Sequence, residues 1–212
     1  MTDNPTRFAI PARSHREEEV IQRSRFITSL AHAPTAEVAQ AFIARIREEF
    51  PDATHHCWAF VAGPPGNTTS IGMSDDGEPH GTAGRPMLTT LLHSELGEVV
   101  AVCTRYFGGT KLGTGGLTRA YSGGVKRALE TLPRAEKVER VALLLRVDYE
   151  SVDPVKRLLA ELDAVVVSES YAQQVKFTLA VPAEHVNTLT DRAAGITRGQ
   201  GRIEVLEEGK KG

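Results

Sequence analysis

The second half of the chain declares its elements through its apolar spacing. "RVALLLRVDY" (140–149) is rich in Val and Leu and reads as a strand. Val155, Leu158, Leu159 and Leu162 then recur at helical spacing behind Pro154, with Ser151 or Asp153 placed to cap that helix. "AVVVSESY" (164–171) and "VKFTLAV" (175–181) predict two strands joined by a turn at Ala172, Gln173 and Gln174. Pro182 opens a second helix with Val186, Leu189 and Ala193 inward, and "GRIEVLEE" (201–208) is a last strand. The order β-α-β-β-α-β is the split βαβ or ferredoxin-like arrangement. The terminal "EEGKKG" reads as a frayed, charged tail.

The first half is less regular. "EEEVIQRSRFITSLAH" (17–32) reads as one bent strand or two short ones. Thr35 suits the cap of a helix whose face is Val38, Phe42, Ile46 and Phe50, ended by Pro51. "HHCWAFVAG" (55–63) and "SIGMS" (70–74) predict strands around a turn-rich "PPGNTT" loop. "PMLTTLLHSE" (86–95) predicts a helix stopped by Gly97, and "EVVAVCTRY" (98–106) a β-branched strand. A glycine-rich run follows. Leu117 then opens a helix with Ala120, Tyr121, Val125, Ala128 and Leu129 inward. The polar stretch "PRAEKVE" (133–139) is the expected boundary between domains 1–138 and 139–212.

Composition changes this picture little, and charge distribution changes it more. The 212 residues carry a net charge of −2, so the whole molecule is not a polycation built for nucleic acid. From Val99 to Leu129, however, there is no acid, while Arg105, Lys111, Arg119, Lys126 and Arg127 are basic. Asp75, Asp76 and Glu78 form an acidic counterpart nearby. The two cysteines, Cys57 and Cys103, sit in apolar runs and read as reduced core thiols. No signal core or membrane-length apolar run is visible, which points to the cytoplasm and away from membranes.

Two motifs carry candidate chemistry. Between Gly108 and Gly116 a strand passes into a helix through Gly108, Gly109, Gly113, Gly115 and Gly116. Backbone N–H groups converging there suit a phosphate or carboxylate, with Arg105 and Arg119 as fork-shaped partners. Neither a Walker A loop nor a dinucleotide fingerprint is present. The competing expectation is a loop that needs glycine only to pack tightly. Tyr106 and Phe107 either stack a base or anchor the loop.

In "SDDGEPHGTAGRP" (74–86), Asp76-Gly77 suits a tight turn and Thr82 a helix cap. Asp75, Asp76 and Glu78 have three open roles: metal ligands or a base, ion-pair partners of the arginines, or acceptors for loop amides. His55, His56 and Cys57 lack a second pair at zinc spacing, so no metal site is expected. Ser70, Ser74 and Ser122 have no nucleophile-elbow context.

"SDDGEPHGTAGRPML" followed by "VVAVCTRYFGGTKLGTGGLTRAYSGG" resembles the IMPACT family in its bacterial YigZ-type form, across almost the whole chain. The resemblance implies an α+β first domain of the ribosomal-protein-five second-domain type. It also implies a ferredoxin-like second domain similar to the last domain of elongation factor G. Eukaryotic members regulate translation initiation by competing for an activator of a stress kinase, partly through a further N-terminal domain with no counterpart here. Carried onto this chain, the signature covers Asp75, Asp76, Gly77, Glu78, Pro79, Gly81, Thr82, Ala83 and Gly84. Its second part covers Arg105, Tyr106, Phe107, Gly108, Gly109, Leu112, Gly113, Gly115, Gly116, Leu117 and Arg119. His80 and Lys111 stand where relatives are expected to vary.

The function expected is therefore a translation-linked regulatory or nucleic-acid-binding protein, meeting RNA or a ribosome-associated protein through the basic glycine-rich segment, without a cofactor. The alternative is an enzyme whose loop holds a small phosphorylated or carboxylated substrate while Asp76 or Glu78 acts as base or metal ligand. The second domain carries ten bases against twelve acids and lacks the aromatic pair of an RNA-recognition sheet, so it suits a protein partner better.

Overall fold

A computed structural model describes residues 5–206; the N-terminal four residues and the expected tail at 207–212 lie outside the described residues. The chain forms two compact units, Met1–Lys137 and Val138–Gly212.

The first unit is built on a five-stranded antiparallel sheet. Its strands are β2 (His15–Ile21), β3 (Ser24–His32), β4 (His55–Val61), β5 (Ile71–Ser74) and β6 (Val99–Tyr106), in the order β2-β3-β6-β4-β5. Central β6 reads as one apolar run because both its faces are covered. Val99, Ala101 and Cys103 join one core with Met87, Leu91, Tyr121 and Val125, while Val100 and Val102 join another with Phe42, Ile43 and Ile46. Helices α2 (Gly84–Leu92) and α3 (Gly113–Thr131) therefore cover one face and α1 (Ala36–Glu49) the other.

Several expectations meet corrections here. The segment 17–32 resolves into a hairpin whose turn, Gln22-Arg23, has φ of 44° and 66°. Thr35 caps α1 through Oγ1, which accepts from Val38 N at 3.3 Å, yet Val38 itself is exposed and Ala39 and Ile43 complete the inner face. Helix α3 begins at Gly113, a full turn before Leu117, so three of the loop glycines are helical. The polar stretch 133–139 is not a bare linker. Arg134–Val138 is a strand, β7, pairing with β1 (Arg7–Pro11) in a small separate sheet. Its side chains are mostly exposed, so it carries no apolar signal.

The second unit has the expected β-α-β-β-α-β order. Strands β8 (Arg140–Val147), β9 (Val165–Tyr171), β10 (Val175–Pro182) and β11 (Arg202–Val205) lie in the order β11-β8-β10-β9, all antiparallel. Helices α4 (Val152–Glu161) and α5 (Val186–Ile196) pack on this sheet through Val155, Leu158, Leu159, Leu189 and Ala193. Short 3₁₀ turns precede both helices, so neither Ser151 nor Asp153 caps α4 by a side-chain bond, and Pro182 ends β10 instead of opening α5. Among the described residues, no helix is long and apolar enough to cross a membrane.

Candidate functional site

The two motifs meet at the end of β6. Glu78 and Arg105 form an ion pair, Nη1 to Oε1 at 2.5 Å, with side chains only 4% and 6% exposed. Tyr121 Oη donates to the same Oε1 at 2.7 Å, reaching from α3. Phe26 stands edge-on to Tyr121 at 5.5 Å, and the Arg105 guanidinium lies 5.3 Å from the Phe26 ring and 5.6 Å from that of Phe107. Arg105 Nη2 and the Gly108 N–H both donate to Ser24 Oγ, at 3.3 and 3.2 Å. Arg105 is thus an internal tie between three elements and does not project into solvent as a free anion hook.

Each acidic side chain is engaged within the protein. Asp75 accepts from Gly81 N on Oδ2 and from Ala83 N and Gly84 N on Oδ1, at 2.8 to 3.0 Å. It caps α2 from a distance, displacing Thr82 from the expected role: Thr82 Oγ1 donates to Pro79 O instead. Asp76 accepts from Arg47 Nη2 and from His56 N, at 2.7 and 2.6 Å. Gly84 is required here by close approach, since a Cβ would stand 2.8 Å from the Ser74 carbonyl. The carboxylates therefore take the pairing and amide-acceptor roles, and none stands as an unengaged base. The histidines follow suit. His55 Nδ1 bonds Asp76 O, His56 is buried against Thr104, and the Cys57 thiol donates to Asp75 O.

Burial pushes the Asp75 carboxyl up, but the amides of Gly81, Gly84 and Ala83 outweigh it and hold its pKa below the ordinary value. The folded pKa lies below the unfolded one. The resulting stabilisation is present above about pH 4 and is lost as pH falls through the folded value. Asp75→Asn is expected to lower stability at neutral pH and to flatten its decline in acid, measured by urea unfolding between about pH 3 and pH 7. Burial also raises the Cys57 thiol and pushes Cys103 up to about 12, so both are protonated core groups.

A cleft of about 350 Å³ opens above the ion pair, lined by Glu78, Pro79, Arg105, Phe107, Lys111, Leu112, Gly113, Thr114 and Leu117. Of the expected site residues it gathers Glu78, Arg105, Phe107 and Gly113. Gly116 and Arg119 border an adjoining groove with Gln22 and Arg127. Asp75, Asp76, Gly81, Thr82 and Gly84 shape the α2 entry instead. Tyr106 Oη donates to Asp52, Gly108 packs on the β2–β3 turn, and Gly109 and Gly115 are exposed. Pro79, Leu112, Thr114 and Leu117 complete the walls. Nothing in the motifs marked the Tyr121 hydroxyl as a partner of Glu78, because Tyr121 fits the apolar face of α3.

The first turn of α3 faces this cleft without protection. It has no side-chain cap and no acidic residue. Its leading N–H groups have no intrahelical acceptor, and the helix dipole adds partial positive charge.

The architecture is that of a two-unit α+β protein whose two motifs meet beside an uncapped helix start. Residues 22–129 match the Impact N-terminal domain family, and residues 145–200 match a domain family of unknown function. The chain is 43% identical to the IMPACT family member YigZ of Escherichia coli, covering 95% of this chain and 98% of that one. It is 36% identical to the IMPACT family member YvyE of Bacillus subtilis over 88% and 85%. A crystal structure of a hypothetical protein superposes with a TM-score of 0.69 at 42% identity, covering 96% of this chain and 99% of that chain. The chain belongs to the IMPACT family.

Proposed function

We propose that this protein binds RNA through the surface around the start of α3, in a translation-linked setting of the kind that the family resemblance implies. The observation that carries this reading is the uncapped, acid-free first turn of a 19-residue helix beside the exposed ring of Phe107. Exposed Lys111 and Arg119 flank it in sequence, and exposed Arg23 lies in the turn against Gly108. Phosphate suits the amides and cations, and an exposed ring suits an unstacked base. The internal pairing of Asp75, Asp76 and Glu78 favours binding over the enzymatic alternative. A ribosome-associated protein remains the rival partner, and the test separates the two.

Affinity for single-stranded RNA is expected to fall steeply with salt, and Lys111→Ala and Arg119→Ala should each flatten the log–log slope by about 0.7. Fluorescence anisotropy over a range of potassium chloride concentrations measures this. Affinity that is flat in salt and indifferent to both substitutions overturns the reading. Arg105→Ala is unsuited to the test, since it opens the core.

A further inference from the structure

The chemistry of the cleft floor and walls specifies more than a phosphate. Glu78 uses Oε1 for both Arg105 and Tyr121, and Oε2 takes part in neither bond. Arg105 is 5% exposed, and its buried Nε has no hydrogen-bond partner. That nitrogen is closed off from solvent, so it is a cost of the fold and offers nothing to a ligand. The floor thus offers one acceptor, Glu78 Oε2. The walls are apolar: Pro79, Phe107, Leu112 and Leu117. At the mouth stand Lys111 and the first residues of α3, Gly113 and Thr114, whose amides favour an anion. The volume, about 350 Å³, lies at the small end of the roughly 300–1,000 Å³ typical of small-molecule sites.

A ligand matching all of this is flat and apolar on its faces, carries hydrogen-bonding groups along its edge, and is joined to an anion. We infer that the cleft holds a single unstacked nucleotide of the bound RNA, its base between the apolar walls with its edge on Glu78, and its phosphate at the start of α3. This inference rests on the RNA-binding reading above and names the part of the RNA that the site takes. Every base has an N–H donor on its edge, so the site selects an unpaired nucleotide before it selects a sequence.

The experiment titrates the full chain with adenosine 5′-monophosphate, ribose 5-phosphate and inorganic phosphate, followed by amide NMR shifts. The nucleotide is expected to bind at least about tenfold more tightly than ribose 5-phosphate, the lower range for one base stacked on an aromatic ring. It should move the amides of Phe107 and Gly113 to Gly116. Phe107→Ala should bring the nucleotide close to ribose 5-phosphate. Thr114→Glu puts a carboxylate into the first turn, where it favours the helix but repels phosphate. That variant should keep or raise the melting temperature and lose all three ligands. Equal affinity for the nucleotide and ribose 5-phosphate, or shifts elsewhere on the protein, overturns the inference. If salt-dependent RNA binding then persists, the broader reading stands; if it is absent as well, both fail.

Discussion

Glu78→Ala is expected to destabilise the first unit by about 3–5 kcal/mol, the usual result of removing one member of a buried ion pair. Both side chains are almost fully enclosed, so water cannot replace the lost carboxylate. Arg105 would keep its charge with Ser24 Oγ as its remaining side-chain acceptor, and Tyr121 would lose the acceptor for its hydroxyl. Two buried groups are orphaned by one substitution, which places the cost toward the upper end. Removing the pair together has a different outcome. Arg105→Met with Glu78→Leu leaves no uncompensated charge and should regain much of the loss, short of the hydroxyl, whose unmet bond costs about 1–3 kcal/mol. Urea unfolding of the single and double variants, compared in one cycle, measures the difference. A single-variant loss below about 1 kcal/mol, the scale of an exposed pair, would show that the tie is not buried in solution.

Gly108→Ala carries the second large effect. A Cβ there would stand 2.0 Å from both the carbonyl carbon and oxygen of Arg23, and 2.5 Å from Ser24 N. These are backbone atoms of the β2–β3 turn, and no rotamer change relieves the contact. The turn must move away from the end of β6, loosening the Gly108 N–H and Arg105 bonds to Ser24 Oγ. Overpacking of this kind costs about 1–3 kcal/mol, and a backbone clash belongs at the top of that range. Gly115→Ala provides the opposite sign. Its Cβ would meet only Arg119 Nη1, at 3.6 Å, inside a helix. It should stabilise by about 0.5–1 kcal/mol through helix propensity and a less disordered unfolded state. Thermal unfolding of the two variants separates a glycine held by packing from a glycine held only by sequence. Equal shifts of the same sign would show that the turn does not press on Gly108.

The same pair of motifs links stability to function. The ion pair that ties β6, α3 and the Glu78 segment together is also the floor of the cleft. Its integrity and the shape of the cleft are therefore inseparable, and variants that test the proposed binding belong at exposed Lys111, Thr114 and Arg119.

Much of the architecture was legible before any coordinates. In the second unit, β8 and β10 bury alternate residues and each helix one stripe, while β9 and β11 show through their β-branched content, so the β-α-β-β-α-β order follows. The amphipathic α1 was visible through its stripe, and β6 through an unbroken apolar run, because both its faces are covered. The turn at Gln22-Arg23 was not, because it uses left-handed residues without the Asn or Gly that normally signals them. Strand β7 was hidden because it pairs through backbone while showing polar side chains to solvent.

By itself, the chain order determined which residues carry charge, where acids are missing, and which segments hold the glycines. Only the tertiary structure decided what each charge does. Arg105 and Glu78 are 27 positions apart and reveal nothing about burial until β6 and the segment before α2 are brought together. That contact turns a basic residue from a ligand hook into a core tie, since a charge withdrawn from water must spend itself on the nearest partner. The backbone amides at the start of α3 carry no residue signature at all, and only the helix boundary at Gly113 shows that no side chain caps them.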